Sequence, residues 1–229
     1  QLVLSKSLNT GAAFVVEKMG NSQFRDYMFS YGLASTTGVD LPNEGKSLVS
    51  NLSVPRDLEY AQASFGQGVA FTPIQMVRAL SVLANGGYLI TPHLVKKIDY
   101  ELGITKDVTP PKGKQIFKAG TTEEISRMLT EVVDTALRDG KVRLDKYSVG
   151  AKTGTAQIAN PAGGGYFADH YLHSFFGYFP SYDAKFLVFL YTFHPLGVQY
   201  ASETLTDSFI NLTKFLINYY NIPPDREMP

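Results

Sequence analysis

Apolar residues recur at helical spacing in the first part of the chain, and two of these stretches have recognisable ends. The run Thr72-Pro73-Ile74-Gln75 combines a cap residue, a proline at the first helical position and a Gln three residues after the cap. The apolar face that follows consists of Ile74, Val77, Leu80 and Leu83, and Gly86 ends the helix. A similar pattern predicts a second helix that is capped by Thr121 with Glu124 and ends at Gly140.

The last eighty or so residues have a different pattern, which predicts three strands and a helix. The segments 147–158, 171–179 and 185–193 are separated by turn residues, and the third is apolar on both faces, as a strand covered on both sides must be. We expect them to form an antiparallel three-stranded sheet. A terminal helix that covers one face of this sheet is predicted from Leu205, Phe209, Leu212, Leu216 and Tyr219.

These elements predict an α+β fold, with a mainly helical part over residues 1–140 and strands plus a C-terminal helix over 141–229. The chain has 229 residues, of which 44% are hydrophobic, so a buried core is expected and disorder is excluded as the main state. The 21 basic and 21 acidic residues cancel, which argues against a nucleic acid partner. The absence of cysteine excludes disulfides, cysteine nucleophiles and thiolate metal sites.

No stretch of the sequence approaches the roughly 18 to 20 apolar residues of a membrane-spanning helix, so we expect the chain as given to be soluble. It opens with Gln1, not Met, inside a predicted helix that runs through Lys18. We therefore expect it to be a piece of a longer protein.

Candidate chemistry is concentrated in Lys152-Thr153-Gly154-Thr155-Ala156, on the first predicted strand. An ammonium, two hydroxyls and a glycine on an exposed edge strand suit a receptor for a carboxylate beside a scissile carbonyl.

The second element with candidate chemistry is Ser7-Leu8-Asn9. Because residues two apart on a regular helix point in different directions, Ser7 and Asn9 can face one cleft only where a helix starts or joins another.

Other candidate sites are weaker. Gly163-Gly164-Gly165 lacks the Lys-Ser/Thr of a phosphate-binding loop and favours a flexible connection between strands. His170 and His173 beside Asp169 have a spacing that can bind metal on a helix, but a strand or loop aims them differently and no third ligand is evident, so we expect no metal and no cofactor. The aromatic residues that follow the triple glycine form either a turn that covers the sheet or a lid over a cleft: Tyr166, Phe167 and Tyr171.

Taken together and in this order, Ser7-Leu8-Asn9 and Lys152-Thr153-Gly154 resemble two of the three motifs of the penicilloyl-serine enzymes. Further landmarks resemble the class B penicillin-binding proteins, the monofunctional peptidoglycan D,D-transpeptidases. They are the run from Tyr31 to Pro42 (YGLASTTGVDLP), Gly66-Gln67-Gly68, Thr72-Pro73 and Ala84-Asn85-Gly86-Gly87. The resemblance covers nearly the whole chain and implies the C-terminal portion of one transpeptidase domain, with an incomplete β-lactamase/transpeptidase-like fold.

The resemblance also implies roles for individual residues. Ser7 would relay a proton to the leaving nitrogen, and Asn9 would hydrogen-bond the donor stem peptide, which ends in D-Ala-D-Ala. Lys152 would hold Ser7 and attract the substrate carboxylate, which the hydroxyls of Thr153 and Thr155 would bind. Gly154 would leave room beside the strand, and the backbone N–H of Thr155 would supply half of an oxyanion hole. β-Lactam antibiotics would bind at the same place.

The third motif of the family, Ser-x-x-Lys, is absent, because no lysine in the sequence has a serine three positions before it. We expect an upstream segment of the same protein to supply this nucleophile and to anchor the parent at the outer face of the bacterial cytoplasmic membrane. This chain alone would then be inactive. It would also expose apolar faces of its helical part, whereas Leu187, Phe189 and the C-terminal helix would cover one another.

Two rival functions stay open. A serine β-lactamase shares the three motifs, but in the commonest class it needs a deacylating Glu followed by Leu and Asn, and Glu44 is followed by Gly45-Lys46-Ser47-Leu48. We expect Glu44 to terminate the preceding turn instead. The other rival is a non-catalytic penicillin-binding sensor or pseudoenzyme, in which Ser7, Asn9 and Lys152 would serve no nucleophile.

Overall fold

The structure is a computed structural model that describes residues 1–227, and it has helices at both ends of the chain. The α-helices are α1 (Leu2–Ser5), α2 (Asn9–Met19), α3 (Asn21–Ser30), α4 (Asp57–Ala63), α5 (Pro73–Ala84), α6 (Ala119–Glu131), α7 (Ala201–Thr204) and α8 (Thr206–Tyr219). A π-helical turn (Val132–Ala136) and 3₁₀ turns at Ser50–Ser53 and Leu137–Gly140 complete the helical elements of the described residues.

The strands form one principal sheet and two small two-stranded sheets. In chain order they are β1 (Tyr88–Leu89), β2 (Lys97–Asp99), β3 (Thr105–Asp107), β4 (Lys114–Gln115), β5 (Gly150–Ala159), β6 (Tyr166–Phe179) and β7 (Phe186–Phe193). The principal sheet is antiparallel with the order β5-β6-β7, and β1 pairs with β4 and β2 with β3. The predicted α+β class and the three-stranded sheet are therefore confirmed.

The main core lies between this sheet and α8. Phe175 on β6 stacks on Phe209 of α8 with ring centroids 4.4 Å apart, and both side chains are fully buried. The predicted apolar face of α8 is partly wrong: its buried positions are Thr206, Phe209, Ile210, Thr213 and Ile217, whereas Tyr219 is 66% exposed. The face turns in this way because Phe209 of the helix packs on Phe175 of β6.

The predicted contact of Leu187 and Phe189 with the C-terminal helix is also wrong. Alternate residues of β7 point to opposite faces, and those that pack on the core with α8 are Phe186, Val188 and Leu190. The strand pattern was apolar on both faces, so the sequence did not indicate which set of residues met the helix.

Two strand boundaries differ from the predictions. β5 begins at Gly150 because residues just before it are held by the C-terminal tail: the Ser148 N–H and hydroxyl both donate to the Asp225 carboxylate. β6 begins at Tyr166, so Tyr166 and Phe167 lie on the strand and not in a turn. The hairpin between β5 and β6 is correspondingly tighter than the sequence suggested.

The helix ends test the capping predictions. The predicted capping box at α5 is confirmed, since the Thr72 side chain accepts from the Gln75 N–H and the Gln75 side chain accepts from the Thr72 N–H. The predicted start of α6 at Thr121 is wrong, because the chain is already helical from Ala119. Glu124 pairs instead with Arg127 one turn along, at 2.7 Å.

The helical part has a small core and leaves large apolar side chains exposed, as the sequence predicted. One cluster of buried residues there consists of Val16, Leu52, Tyr60 and Ala63. On the facing sides of α2 and α4, Phe14 is 57% exposed and Leu58 is 65% exposed, and both border an open groove. None of the helices in residues 1–227 is both long and apolar enough to cross a membrane.

One buried hydroxyl gives a test of this packing. The Thr213 hydroxyl oxygen on α8 is buried and has no hydrogen-bond partner among the described residues. Because a buried polar group without a partner carries a desolvation penalty, Thr213→Val should raise the free energy of unfolding by about 1 kcal/mol. Urea denaturation measures this change.

Thr206→Val, in the first turn of the same helix, is the matched control. Thr206 is equally buried, but its hydroxyl donates to the Ser202 carbonyl at 2.7 Å. The same substitution should therefore lower the free energy of unfolding there. Equal effects of the two substitutions would contradict the assignment of these hydroxyls.

Candidate active site

Ser7 lies at the junction of α1 and α2, which satisfies the condition that the sequence set for Ser7 and Asn9 to share a cleft. The junction is a Schellman motif: the Ser7 N–H donates to the Leu4 carbonyl at 3.2 Å and the Leu8 N–H to the Val3 carbonyl at 3.0 Å. In this motif Ser7 occupies the left-handed position, with φ of 53°, where glycine is usual. Ser7 is exposed, and Asn9 follows as the first residue of α2.

Lys152 connects this junction to the edge strand β5. Its Nζ donates to the Ser7 Oγ at 2.8 Å, although the two residues are 145 positions apart in the sequence. The same Nζ donates to the Thr153 carbonyl at 2.9 Å. Burial lowers the pKa of the Lys152 side chain below its ordinary value. The ammonium is therefore placed by two oxygen atoms in a partly desolvated position, where its charge acts strongly on a nearby anion.

The other predicted residues of β5 lie beside Lys152 on the same edge. The Thr155 Oγ1 accepts a hydrogen bond from the Ala201 N–H at 3.0 Å. A Cβ added at Gly154 would lie 2.6 Å from the Ser174 hydroxyl on β6, so this glycine also gives room to the neighbouring strand. Among the described residues, the Thr153 hydroxyl and the Asn9 side chain have no hydrogen-bond partner, which leaves them available to a ligand.

The hairpin between β5 and β6 reaches across to the helical part. The Gly68 N–H donates to the Tyr166 hydroxyl at 2.8 Å, which joins the Gly66-Gln67-Gly68 turn to the start of β6. Tyr166 is thus a long-range partner of this turn. A side chain at position 68 would meet the Asn51 amide at 2.6 Å, so the turn is confined on that side.

Glu44 and Asp40 serve the backbone of the helical part. Glu44 accepts from the N–H groups of Thr37 and Gly38 at 2.6 and 3.1 Å, as expected for a residue that terminates this turn. Burial opposes ionisation of Glu44, but these backbone hydrogen bonds outweigh it and lower its pKa. Asp40 accepts from Val95 and Leu94, and these bonds lower its pKa as well.

The histidines do not converge on a metal position. His173 is fully buried, and both of its ring nitrogens are hydrogen-bonded to protein atoms, Thr204 Oγ1 and the Gln199 carbonyl, at 2.9 Å each. His170 instead stacks against His194, with ring centroids 3.8 Å apart. Within residues 1–227 there is no group of three or more His, Asp or Glu side chains that could hold a metal ion.

Comparison with known families gives a match over most of the chain. Residues 1–211 match the model of the penicillin-binding protein transpeptidase domain. The chain belongs to this family. The resemblance drawn from the sequence motifs is therefore confirmed, and within the family the similar proteins are class B penicillin-binding proteins.

Two curated relatives illustrate the similarity of this chain to known members of the family. Stage V sporulation protein D of Bacillus subtilis is 33% identical over 199 residues, which are 85% of this chain and 30% of that protein. Penicillin-binding protein PbpB of Mycolicibacterium smegmatis is 26% identical over 237 residues, which are 99% of this chain and 37% of that protein. The chain thus spans about a third of the length of these relatives.

Solved structures show the same fold. Penicillin-binding protein 3 of Mycobacterium tuberculosis in complex with ampicillin matches with a TM-score of 0.88 and 26% identity, over 98% of this chain and 52% of that one. The transpeptidase domain of penicillin-binding protein 3 from Burkholderia pseudomallei matches with a TM-score of 0.80 and 25% identity, over 98% of this chain and 65% of that one. The transpeptidase fold expected from the resemblance is confirmed.

The environment of Lys152 can be tested by titration. Burial is the cause of its lowered pKa, so Ser7→Ala, which removes only a hydroxyl, should leave the pKa below the ordinary lysine value. NMR of a chain labelled at lysine side chains measures it, with Lys152→Arg identifying the resonance by its loss. A resonance that titrates at or above the ordinary value would contradict this account.

The same shift predicts a dependence of stability on pH. The folded pKa of Lys152 is lower than the unfolded one, so between the two values the unfolded chain binds more protons. The contribution of Lys152 to the free energy of unfolding should therefore rise with pH across this interval.

Proposed function

We propose that this chain is the C-terminal portion of the transpeptidase domain of a peptidoglycan D,D-transpeptidase, which cross-links stem peptides through an acyl-serine intermediate. The observation that carries the proposal is the hydrogen bond from Lys152 to Ser7, made beside the hydroxyls of Thr153 and Thr155. This contact supports a proton-transfer group and a carboxylate receptor at one edge of the sheet. Relatives with this activity in their names, such as the peptidoglycan D,D-transpeptidase FtsI homolog of Mesostigma viride, support it.

The first half of the reaction forms the acyl-enzyme. The serine of a Ser-x-x-Lys motif attacks the carbonyl of the penultimate D-Ala and transfers its proton to the adjacent lysine. The C–N bond to the terminal D-Ala then breaks, and the leaving nitrogen receives a proton relayed through Ser7. Lys152 supports Ser7 as relay and attracts the carboxylate of the terminal D-Ala.

The second half resolves the acyl-enzyme with an amine. The amine of a second stem peptide attacks the ester carbonyl and a new C–N bond forms, while the C–O bond to the serine breaks and the proton lost by the amine returns to the serine. Asn9 holds the amide of the donor stem, and the backbone N–H of Thr155 stabilises the oxyanion in both halves. A β-lactam follows the first half only. The same serine opens its ring amide, and the leaving nitrogen stays attached to the acyl group.

The nucleophile is proposed to come from a segment of the same protein outside this sequence. No lysine here has a serine three positions before it, and the curated relatives that match are about three times as long. We further propose that the whole protein acts at the outer face of the bacterial cytoplasmic membrane, where peptidoglycan is cross-linked, and that a segment outside this sequence anchors it.

Covalent labelling tests the location of the nucleophile. Incubated alone with a fluorescent penicillin, the 229-residue chain should form no acid-stable adduct, since it lacks Ser-x-x-Lys. Intact-mass spectrometry checks this result, and the full-length protein, which should gain one adduct, is the positive control. A stoichiometric adduct on Ser7 would overturn the roles assigned above.

The role of Lys152 is tested in the full-length protein. Lys152→Ala should lower the second-order rate constant of acylation by penicillin about a hundredfold or more, because a charged group that acts in the transition state is lost. Stopped-flow or gel-based acylation kinetics measure the rate constant, and the melting temperature controls for folding. Acylation near the wild-type rate would show that the Lys-Thr-Gly role was wrongly placed.

Two further variants sharpen the interpretation. Lys152→Arg should not restore the rate, because a planar guanidinium does not fit the compact position of the ammonium between the Ser7 hydroxyl and the Thr153 carbonyl. Thr155→Ser should be nearly silent, since it keeps the hydroxyl and the backbone N–H.

A further inference from the structure

The hydrogen bond between Thr155 and α7 determines how the Thr155 hydroxyl can meet a ligand. A hydroxyl has one hydrogen to donate and can also accept, and here its oxygen accepts from the Ala201 N–H at 3.0 Å. The hydroxyl hydrogen therefore points away from α7. It stays free to donate, which is the geometry that a carboxylate requires.

The position of α7 is in turn fixed by His173. The Gln199 carbonyl can only accept, so the His173 Nε2 at 2.9 Å carries a hydrogen. The other ring nitrogen, Nδ1, is hydrogen-bonded to the Thr204 hydroxyl, also at 2.9 Å. These two bonds lie on either side of Ala201 in the sequence, so one ring clamps both ends of the four-residue helix.

His173, which clamps α7, and Thr155 are neighbours in the sheet. His173 on β6 is paired directly with Thr155 on β5, and side chains of directly paired residues lie on the same face of a sheet. The contacts among four residues thus close a cycle: His173, Thr204, Ala201 and Thr155. This cycle is anchored in the core, because His173 and Ala201 are both fully buried.

We propose that His173 and Thr204 are positioning residues for carboxylate recognition: they hold α7 so that the Ala201 N–H fixes the Thr155 hydroxyl as a donor to the carboxylate of the stem peptide or β-lactam. The inference rests on the proposed function of Thr155. It predicts that a change in the clamp affects ligands with a carboxylate and spares those without one.

The matched pair Thr204→Val and Thr204→Ser tests this in the full-length protein. Valine keeps the shape of threonine but lacks the hydroxyl that is hydrogen-bonded to His173, whereas serine keeps it. Acylation is measured with benzylpenicillin and with its methyl ester, which lacks the free carboxylate. Thr204→Val should lower the rate constant for benzylpenicillin about tenfold and leave that for the ester within about twofold. Thr204→Ser should stay close to the wild type with both.

Thr213→Val on α8 controls for the substitution itself. It is also a Thr→Val change in the C-terminal helical region, but the Thr213 hydroxyl has no partner among the described residues. It should leave the ratio of the two rate constants unchanged. In addition, the double variant Thr155→Val/Thr204→Val should be no slower with benzylpenicillin than Thr155→Val alone, because both changes act through one hydroxyl.

A second variant covers the case in which Thr204→Val does not fold. Ala201→Pro removes the N–H that Thr155 accepts, at the first residue of α7, where proline is tolerated. The preceding Tyr200 is extended (φ −112°, ψ 138°), as a residue before proline must be. This variant should show the same selective loss with benzylpenicillin.

The possible outcomes separate this inference from the proposed function. If Thr204→Val slows both ligands equally, or neither, the clamp has a structural role only and the inference is overturned. If the wild-type protein is not acylated by benzylpenicillin at all, the proposed function fails, and the inference fails with it.

Discussion

The hydrogen bond between the Lys152 Nζ and the Ser7 Oγ is the contact on which the candidate site depends. It joins β5, at the edge of the principal sheet, to the helical part. Neither residue has this role by itself, since Ser7 is exposed at a helix junction and Lys152 is one of several lysines. Together they bring a partly buried ammonium against a hydroxyl that is open to solvent, which is the arrangement that the proposed relay needs.

Polar side chains of the helical part hold its loops in place. Asp40, Glu44 and Gln75 direct their polar atoms to backbone groups of neighbouring loops, which otherwise have no regular partners. At the other side, Asp225 holds Ser148 just before β5 begins, and Arg226 pairs with Asp134 at 2.8 Å. Polar side chains thus hold both the loops of the helical part and the segment before β5.

The sequence predicted the elements with local signals and missed those set by tertiary contacts. The cap at Thr72 and the strand that carries Lys152 are encoded within a few residues, and so is the need for a break near Ser7. The face of β7 that meets α8 could not be predicted, because β7 is apolar on both sides. The clamp by His173 was also missed, since a buried histidine in a strand gives no local sign of partners 26 and 31 residues away.

Ser7 stands where the backbone itself favours glycine, with φ of 53° at the end of a Schellman motif. The fold therefore does not require the hydroxyl, and selection for stability alone would replace it. A descendant with glycine at this position would lose the proposed relay and still fold as well as its ancestor or better. Members of such a lineage would keep their shape and their Lys-Thr-Gly strand, and only this one residue would mark the change.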